Sequence, residues 1–281
     1  MRRWVLIMVF LAAAGGAFGG YAGKIAFTSF RDGNPEVYVM NADGTGVVRI
    51  TNNKAYDDQP ALSPDGSLLV FVSDRDGNHE LYLAQANGKG SEKRLTDTSY
   101  SELDPSFSAD GEWVIFTSMA EGDKDVWRLN VIGGELEKLV TADGDQFMAR
   151  AAADGALAYV EDGGDEEVFL LKDGRETNLS NSPGIDTMPS FSSDGGQVYF
   201  TSQRGGDYDL FVVGRDGAGL QEVVTLESLE GRASASPDGA YLALASDMDG
   251  DLEIYVFSTA GEKLGRLTDN DVDDYEPCWS R

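Results

Sequence analysis

One histidine, His79, and one cysteine, Cys278, stand in a chain of 281 residues. The lone cysteine excludes an intramolecular disulfide and any cysteine-paired metal site. The lone histidine excludes a His-Glu-x-x-His zinc helix, and a serine triad would need His79 buried against a carboxylate. It lies instead beside the polar turn Asp74-Arg75-Asp76-Gly77-Asn78, the setting of an exposed turn residue. A Gly-x-Ser-x-Gly elbow and a phosphate-binding glycine loop are also missing, so no catalytic residue is nominated. Positive charge is scarce as well: 22 Lys and Arg face 49 Asp and Glu, a net charge of −27. That balance argues against nucleic acid as a partner and suits a self-repelling surface. Cys278 reads as a small packed residue.

The single long apolar run is at the start. Arg2 and Arg3 precede the stretch Trp4 to Ala14, and small residues follow from Gly15 to Ala22. This is the pattern of a secretion signal over residues 1–22, with Ala17-Phe18-Gly19 and Gly20-Tyr21-Ala22 both offering cleavage positions. A spanning helix would need about 20 strongly apolar residues, which the glycine-rich second half does not supply. The expectation is an exported chain, periplasmic or secreted, with no membrane span after cleavage. Two arginines leave with the signal, taking the charge to −29.

What fills the remainder, residues 23–281, is a repeat. The turn Ser-Pro-Asp-Gly at Ser63 recurs in varied form at Ser108, Ala152, Ser192 and Ser236, and the terminal Ser280 falls in register. The spacings are 45, 44, 40, 44 and 44 residues, a propeller period. Each unit reads as four short strands joined by Gly-containing turns. The third strand recurs as Val37-Tyr38-Val39, Leu81-Tyr82-Leu83, Val126-Trp127-Arg128, Val168-Phe169-Leu170, Leu210-Phe211-Val212 and Ile254-Tyr255-Val256. The fold class that follows is all-β: a six-bladed β-propeller of four-stranded blades. The chain ends in a first strand with no successor and begins at Lys24 in a second strand with no predecessor. Pairing the C-terminal strand with the N-terminal blade would therefore close the ring and remove exposed edges, in a monomer.

Acids recur at two places in the unit. One opens every third strand (Glu36, Glu80, Asp125, Glu167, Asp209, Glu253), where Arg31, Arg75 and Arg204 across the hairpin offer charge pairs in three blades. This set reads as a device of the repeat. The other lies three residues before the proline position: Asp57, Glu102, Gln146, Asp186, Glu230 and Asp274. Equivalent positions in a closed ring share a circle, so these side chains are expected to surround one mouth of the central channel, with Asp58, Asp104, Asp145, Asp273 and Glu276 close by. Like charges so arranged raise one another's pKa unless a cation or basic group joins them. Tyr56, Tyr100, Phe147 and Tyr275 in the same connectors add aromatic anchors. A partner-binding mouth built from Asp57, Glu102, Asp186, Glu230, Asp274, Tyr56, Tyr100 and Tyr275 is the leading expectation. No cofactor is required, although calcium at Asp57, Asp186 and Asp274 would suit hard oxygen ligands. The alternative at these positions is that each acid bonds its own connector.

The motif Pro105-x-Phe107-Ser108-x-Asp110-Gly111, the strand endings Phe27-Thr28-Ser29, Phe116-Thr117-Ser118 and Phe200-Thr201-Ser202, and the later E-x-Y-V and L-T pieces resemble the TolB-type WD40-like propeller repeat. The resemblance covers Lys24 to Arg281. The fourth unit departs most, with Ala149 for proline, Ala152 for serine and a shorter Gly163-Gly164 region. The resemblance implies a periplasmic, non-enzymatic interaction scaffold whose partner is a protein or peptide, such as an envelope lipoprotein, bound at a propeller mouth. It also implies an N-terminal α/β domain, where this chain shows only a signal segment. Related repeats occur in propellers acting on acidic sugars, which makes a polysaccharide lyase or hydrolase the rival function. An anionic substrate wants a basic cleft, and only Arg150 and Arg232 flank the first strands.

Overall fold

The computed structural model describes residues 21–225 and 230–280; of the expected signal segment, residues 1–22, all but the last two lie outside the described residues. Twenty-four strands form six separate four-stranded antiparallel sheets, and no helix occurs among the described residues. We number the blades from the one shared by the termini. Their innermost strands are Asp274–Trp279, Asp57–Leu62, Glu102–Phe107, Asp145–Ala151, Asp186–Phe191 and Glu230–Ala235.

Closure is as the repeat register requires. Asp274–Trp279 pairs with Lys24–Ser29, Ile25 opposite Trp279 and Ser29 opposite Asp274, so the first blade takes its inner strand from the far end of the chain. The backbone N–H of Lys24 also donates to Ser280 Oγ at 3.0 Å. The fourth blade, despite its shorter unit, keeps four strands in the same order.

The core is divided among the seams between blades. Ala26, Val37 and Val39 of blade one pack on Leu62, Leu69 and Phe71 of blade two, and five similar clusters follow round the ring. Near-continuous apolar runs such as Leu68–Ser73 and Tyr241–Ser246 make this possible, because a sheet covered on both sides buries both faces of its strands.

The recurring polar residues tie each blade to its connector. Thr51, Thr96, Ser180 and Thr268 at the ends of fourth strands accept the N–H of Val37, Leu81, Val168 and Ile254 at 2.8–2.9 Å. The acids opening the third strands hold the connector that leaves the blade: Glu36 accepts from Asn53 N at 3.0 Å, Glu80 from Thr98 N at 2.8 Å, Glu167 from Ser182 N at 3.1 Å and Glu253 from Asn270 N at 2.5 Å. Their arginine partners differ from the hairpin arginines expected. Arg49 and Arg94, from fourth strands, reach Glu36 and Glu80 at 2.9 Å.

Candidate functional site: the central channel

The hairpin arginines are spent on the first strand. Arg31 bonds both oxygens of Asp274 at 3.0 and 2.8 Å, Arg75 both oxygens of Asp57 at 2.9 and 3.0 Å, and Arg204 reaches Asp186 at 3.2 Å. Each guanidinium also lies over an aromatic ring of its own third strand: Tyr38, Tyr82 and Phe211, at 4.6, 4.3 and 4.7 Å. Asp57, Asp186 and Asp274 are completely buried. They therefore do not line an open mouth, and each expected calcium ligand already has a cation. Burial and a forked guanidinium make these pairs internal structure, since a carboxylate there could not remain charged alone.

The other ring positions follow the same economy. Blade three has Ala120 where an arginine would stand, and burial with the neighbouring Glu80 pushes the Glu102 carboxyl up to about 7. Thr98 Oγ1 donates to Glu102 at 3.0 Å. Blade four has Gln146, which donates to Gly144 O at 2.9 Å. Glu230 opens its strand opposite Ala245, and its side chain lies outside the described part of the structure. Of the aromatic anchors, Tyr56 and Tyr100 are 54% and 47% exposed, whereas Tyr275 is half-buried and stacks on Phe30 at 6.0 Å.

The residues that do reach the channel lie one and two positions further along. Every inner strand loses register with its neighbour at this point, for example between Asp58 and Ala61 and between Leu103 and Ser106. The extra residue of such a bulge is re-aimed, here toward the axis. The waist of the channel, a space of about 410 Å³, is lined by Gln59, Asp104, Met148, Met188, Arg232 and Glu276. All but Arg232 have left-handed backbones, with φ of 50–55°, and in blade six Gly231 takes that turn at φ 92°. Holding a non-glycine residue there costs on the order of 1–3 kcal/mol, and such strain concentrates at functional positions.

A chain of side-chain-to-backbone bonds crosses the seams. Glu276 Oε2 accepts the N–H of Gln59 at 2.8 Å, and Gln59 Oε1 accepts the N–H of Asp104 at 2.6 Å. Asp104 also takes Thr117 Oγ1 at 3.1 Å, and Glu276 takes Thr28 Oγ1 at 3.2 Å. Burial raises the pKa of both carboxyls, while Arg232 pulls in the opposite direction without forming an ion pair. Asp58 is pushed up to about 8 by burial and by Glu276, Asp57 and Asp104 in turn, and its Oδ1 has no hydrogen-bond donor. One half of the waist is thus acidic and the other carries Met148, Met188 and Arg232.

Two further placements complete the site. Cys278 Sγ accepts the N–H of Leu62 at 3.4 Å and packs into the seams of blade two, as a small packed residue would. His79 is half-buried rather than fully exposed, and its carbonyl takes the N–H of Glu102 at 2.9 Å.

A ring of six bulged blades about a lined channel defines a small channel propeller. Residues 24–168, more than half of the chain, match the TolB beta propeller domain, and the chain belongs to that family. It is 27% identical over 195 residues to a TolB homolog of Chlorobium luteolum, covering 69% of this chain and 34% of that protein. To the Tol-Pal system protein TolB of Wolinella succinogenes it is 27% identical over 157 residues, 52% of this chain and 37% of that protein. The chain thus spans about a third of the length of these relatives. The crystal structure of TolB from Acinetobacter baumannii superposes with a TM-score of 0.80 at 20% identity, covering 93% of this chain and 67% of that one.

Proposed function

We propose that this propeller is an exported, non-enzymatic protein-interaction scaffold. A segment of its partner enters the channel from the face carrying Tyr56, Tyr100 and Tyr275, and presents a basic or N–H-rich group to the acidic half of the waist. The observation that carries this reading is Asp58: a carboxyl whose shielded Oδ1 has no donor among the described residues, crowded by Glu276, Asp57 and Asp104. An incoming cation or donor would relieve that crowding, as no group of the protein does. The exposed tyrosines beside the same connectors supply the large, rigid contact area that binding surfaces favour. The name of one relative, a Tol-Pal system protein, supports a protein partner, and periplasmic residence is part of the same proposal.

The test compares capture from envelope extract by residues 20–281 and by the Asp58→Asn/Glu276→Gln variant, followed by reconstitution with the purified partner. Loss of at least tenfold in affinity, in a variant that melts normally, is the expected result. Equal affinity of the two forms would remove the acidic waist from the interface. Turnover of uronate oligosaccharides by the parent would replace the reading with the enzymatic one.

A further inference from the structure

The opposite end of the channel has different chemistry. Past the waist it widens into a funnel of about 720 Å³ that opens among the Ser-Pro-Asp-Gly turns, with Pro64, Ser193 and Ser236 at its rim. Its wall combines small post-bulge side chains, among them Ser106, Ser190 and Ser234, with the larger apolar Leu62, Phe107, Phe191 and Trp279. Two cations stand at the junction of waist and funnel and line both spaces: Arg150 and Arg232. In a chain with 49 acids they are conspicuous for making no salt bridge among the described residues.

The hydrogen-bond inventory separates the two. Arg150 is buried, and its Nη1 donates to the carbonyls of Asp104 at 3.1 Å and Ala149 at 2.7 Å. Those bonds fix the guanidinium while leaving Nε and Nη2 unused among the described residues. Arg232, half-buried, makes no hydrogen bond with any described residue. The Oγ of Ser190, a residue only 8% exposed, is shielded and has no partner either. Ser106 and Ser234, by contrast, are committed to Ala149 O at 3.0 Å and Trp279 N at 2.8 Å. The carboxylates of Asp104 and Glu276 do not consume Arg232, because each is occupied by hydroxyl and backbone donors. A guanidinium carries five donors in a planar fork that matches a carboxylate, and a buried hydroxyl left unpaired costs free energy.

We infer that the funnel is a carboxylate-binding site, with Arg232 as the primary fork, Arg150 as the fixed second cation and Ser190 Oγ as a hydroxyl donor. The ligand is a carboxylate, either a free small acid or the C-terminus of a peptide, whose aliphatic part lies against the mixed wall of small and apolar side chains. Arg232 also lines the waist, but the anion enters from the opposite face and carries the opposite charge, so its titration is read without the partner proposed above.

The experiment titrates acetate, N-acetyl-dialanine and N-acetyl-dialanine amide into residues 20–281, by calorimetry and by the fluorescence of Trp279, which lines the funnel. The free carboxylates bind saturably and the amide does not. If acetyl-dialanine binds more tightly than acetate, the source is a peptide end; equal binding indicates a small acid. Arg232→Gln weakens binding about tenfold or more, and Arg232→Lys restores only part, because a point charge replaces a fork. Arg232→Lys keeps the positive charge beside Asp104 and Glu276 and so the parental melting temperature, which separates an effect on binding from one on folding. Saturable binding of the amide, unchanged binding by Arg232→Gln, or no binding of either carboxylate overturns the inference.

Discussion

Glu276 Oε2 holds the backbone N–H of Gln59 at 2.8 Å across the seam between the closing strand and the second blade. Both residues sit on bulges with left-handed backbones, so the bond locks two strained turns against each other. Glu276→Ala removes the acceptor and leaves a buried N–H unpaired, with an expected loss of about 1–3 kcal/mol. Glu276→Gln keeps an acceptor oxygen and should lose much less. Urea unfolding of the two variants checks the difference.

The buried ring acids Asp57, Asp186 and Asp274 are expected to act on stability rather than on binding. Asp57→Asn strips the charge that Arg75 neutralises and leaves the arginine facing a neutral amide. A loss of about 2 kcal/mol is expected, below the value for a fully buried pair because Arg75 is partly exposed. Asp186→Asn should behave alike, and both variants should retain partner affinity. A partner assay that tracked these substitutions, with melting unchanged, would contradict the buried placement.

Asp58 gives the opposite sign. Its folded-state pKa, about 8 against an ordinary 3.8, means that the unfolded chain gives up this proton first. Stability contributed by the protonated form is therefore present below about pH 4, declines as pH rises toward 8, and stays lost above it. Asp58→Asn should raise the melting temperature at pH 8–9 by about 2–4 °C for each kcal/mol recovered, and change little near pH 4. Melting curves across this range measure it.

These two groups of acids show what was legible in the chain and what was not. Six blades, their shared closing blade and the seam-divided core follow from a 44-residue period and from the incomplete units at Lys24 and Ser280. The tyrosines Tyr56 and Tyr100 also emerge exposed, as their connectors imply. The acid ring lies inside the blades because symmetry puts equivalent residues on one circle without fixing its radius, and the strand bulges after Asp58 and turns the next residues inward. The usable signal was the residue before each proline position: Gln59, Asp104, Met148, Met188, Arg232 and Glu276. The hairpin arginines were assigned to the third-strand acid because that strand is adjacent in sequence. Their reach extends to the first strand, which arrives from a different part of the chain.

The two candidate cleavage positions of the expected signal segment differ in the contacts they leave to the fold. Tyr21 meets Tyr241 edge-on at 4.6 Å and Trp279 at 6.2 Å, and Ala22 O accepts Trp279 Nε1–H at 2.8 Å. Cleavage after Ala22 would discard all three contacts, whereas cleavage after Gly19 keeps them. N-terminal sequencing of the exported protein should begin at Gly20. A form starting at Gly23 should be less stable by about 1 kcal/mol, the scale of an aromatic pair.

Truncation tests the closure most directly. Without Glu276 to Arg281, Lys24–Ser29 keeps only one neighbour in its sheet and Trp279 leaves the seam with blade six. The shortened chain should melt well below the parent and aggregate through its open edge. Calorimetry and light scattering read both effects.

The inner strand of the first blade is synthesised after every other blade, some 250 residues behind the strand it pairs with. Until it arrives the molecule is a curved, open row of sheets with two unsatisfied ends. The nascent chain thus has a built-in delay: its ring stays open until its tail meets its head.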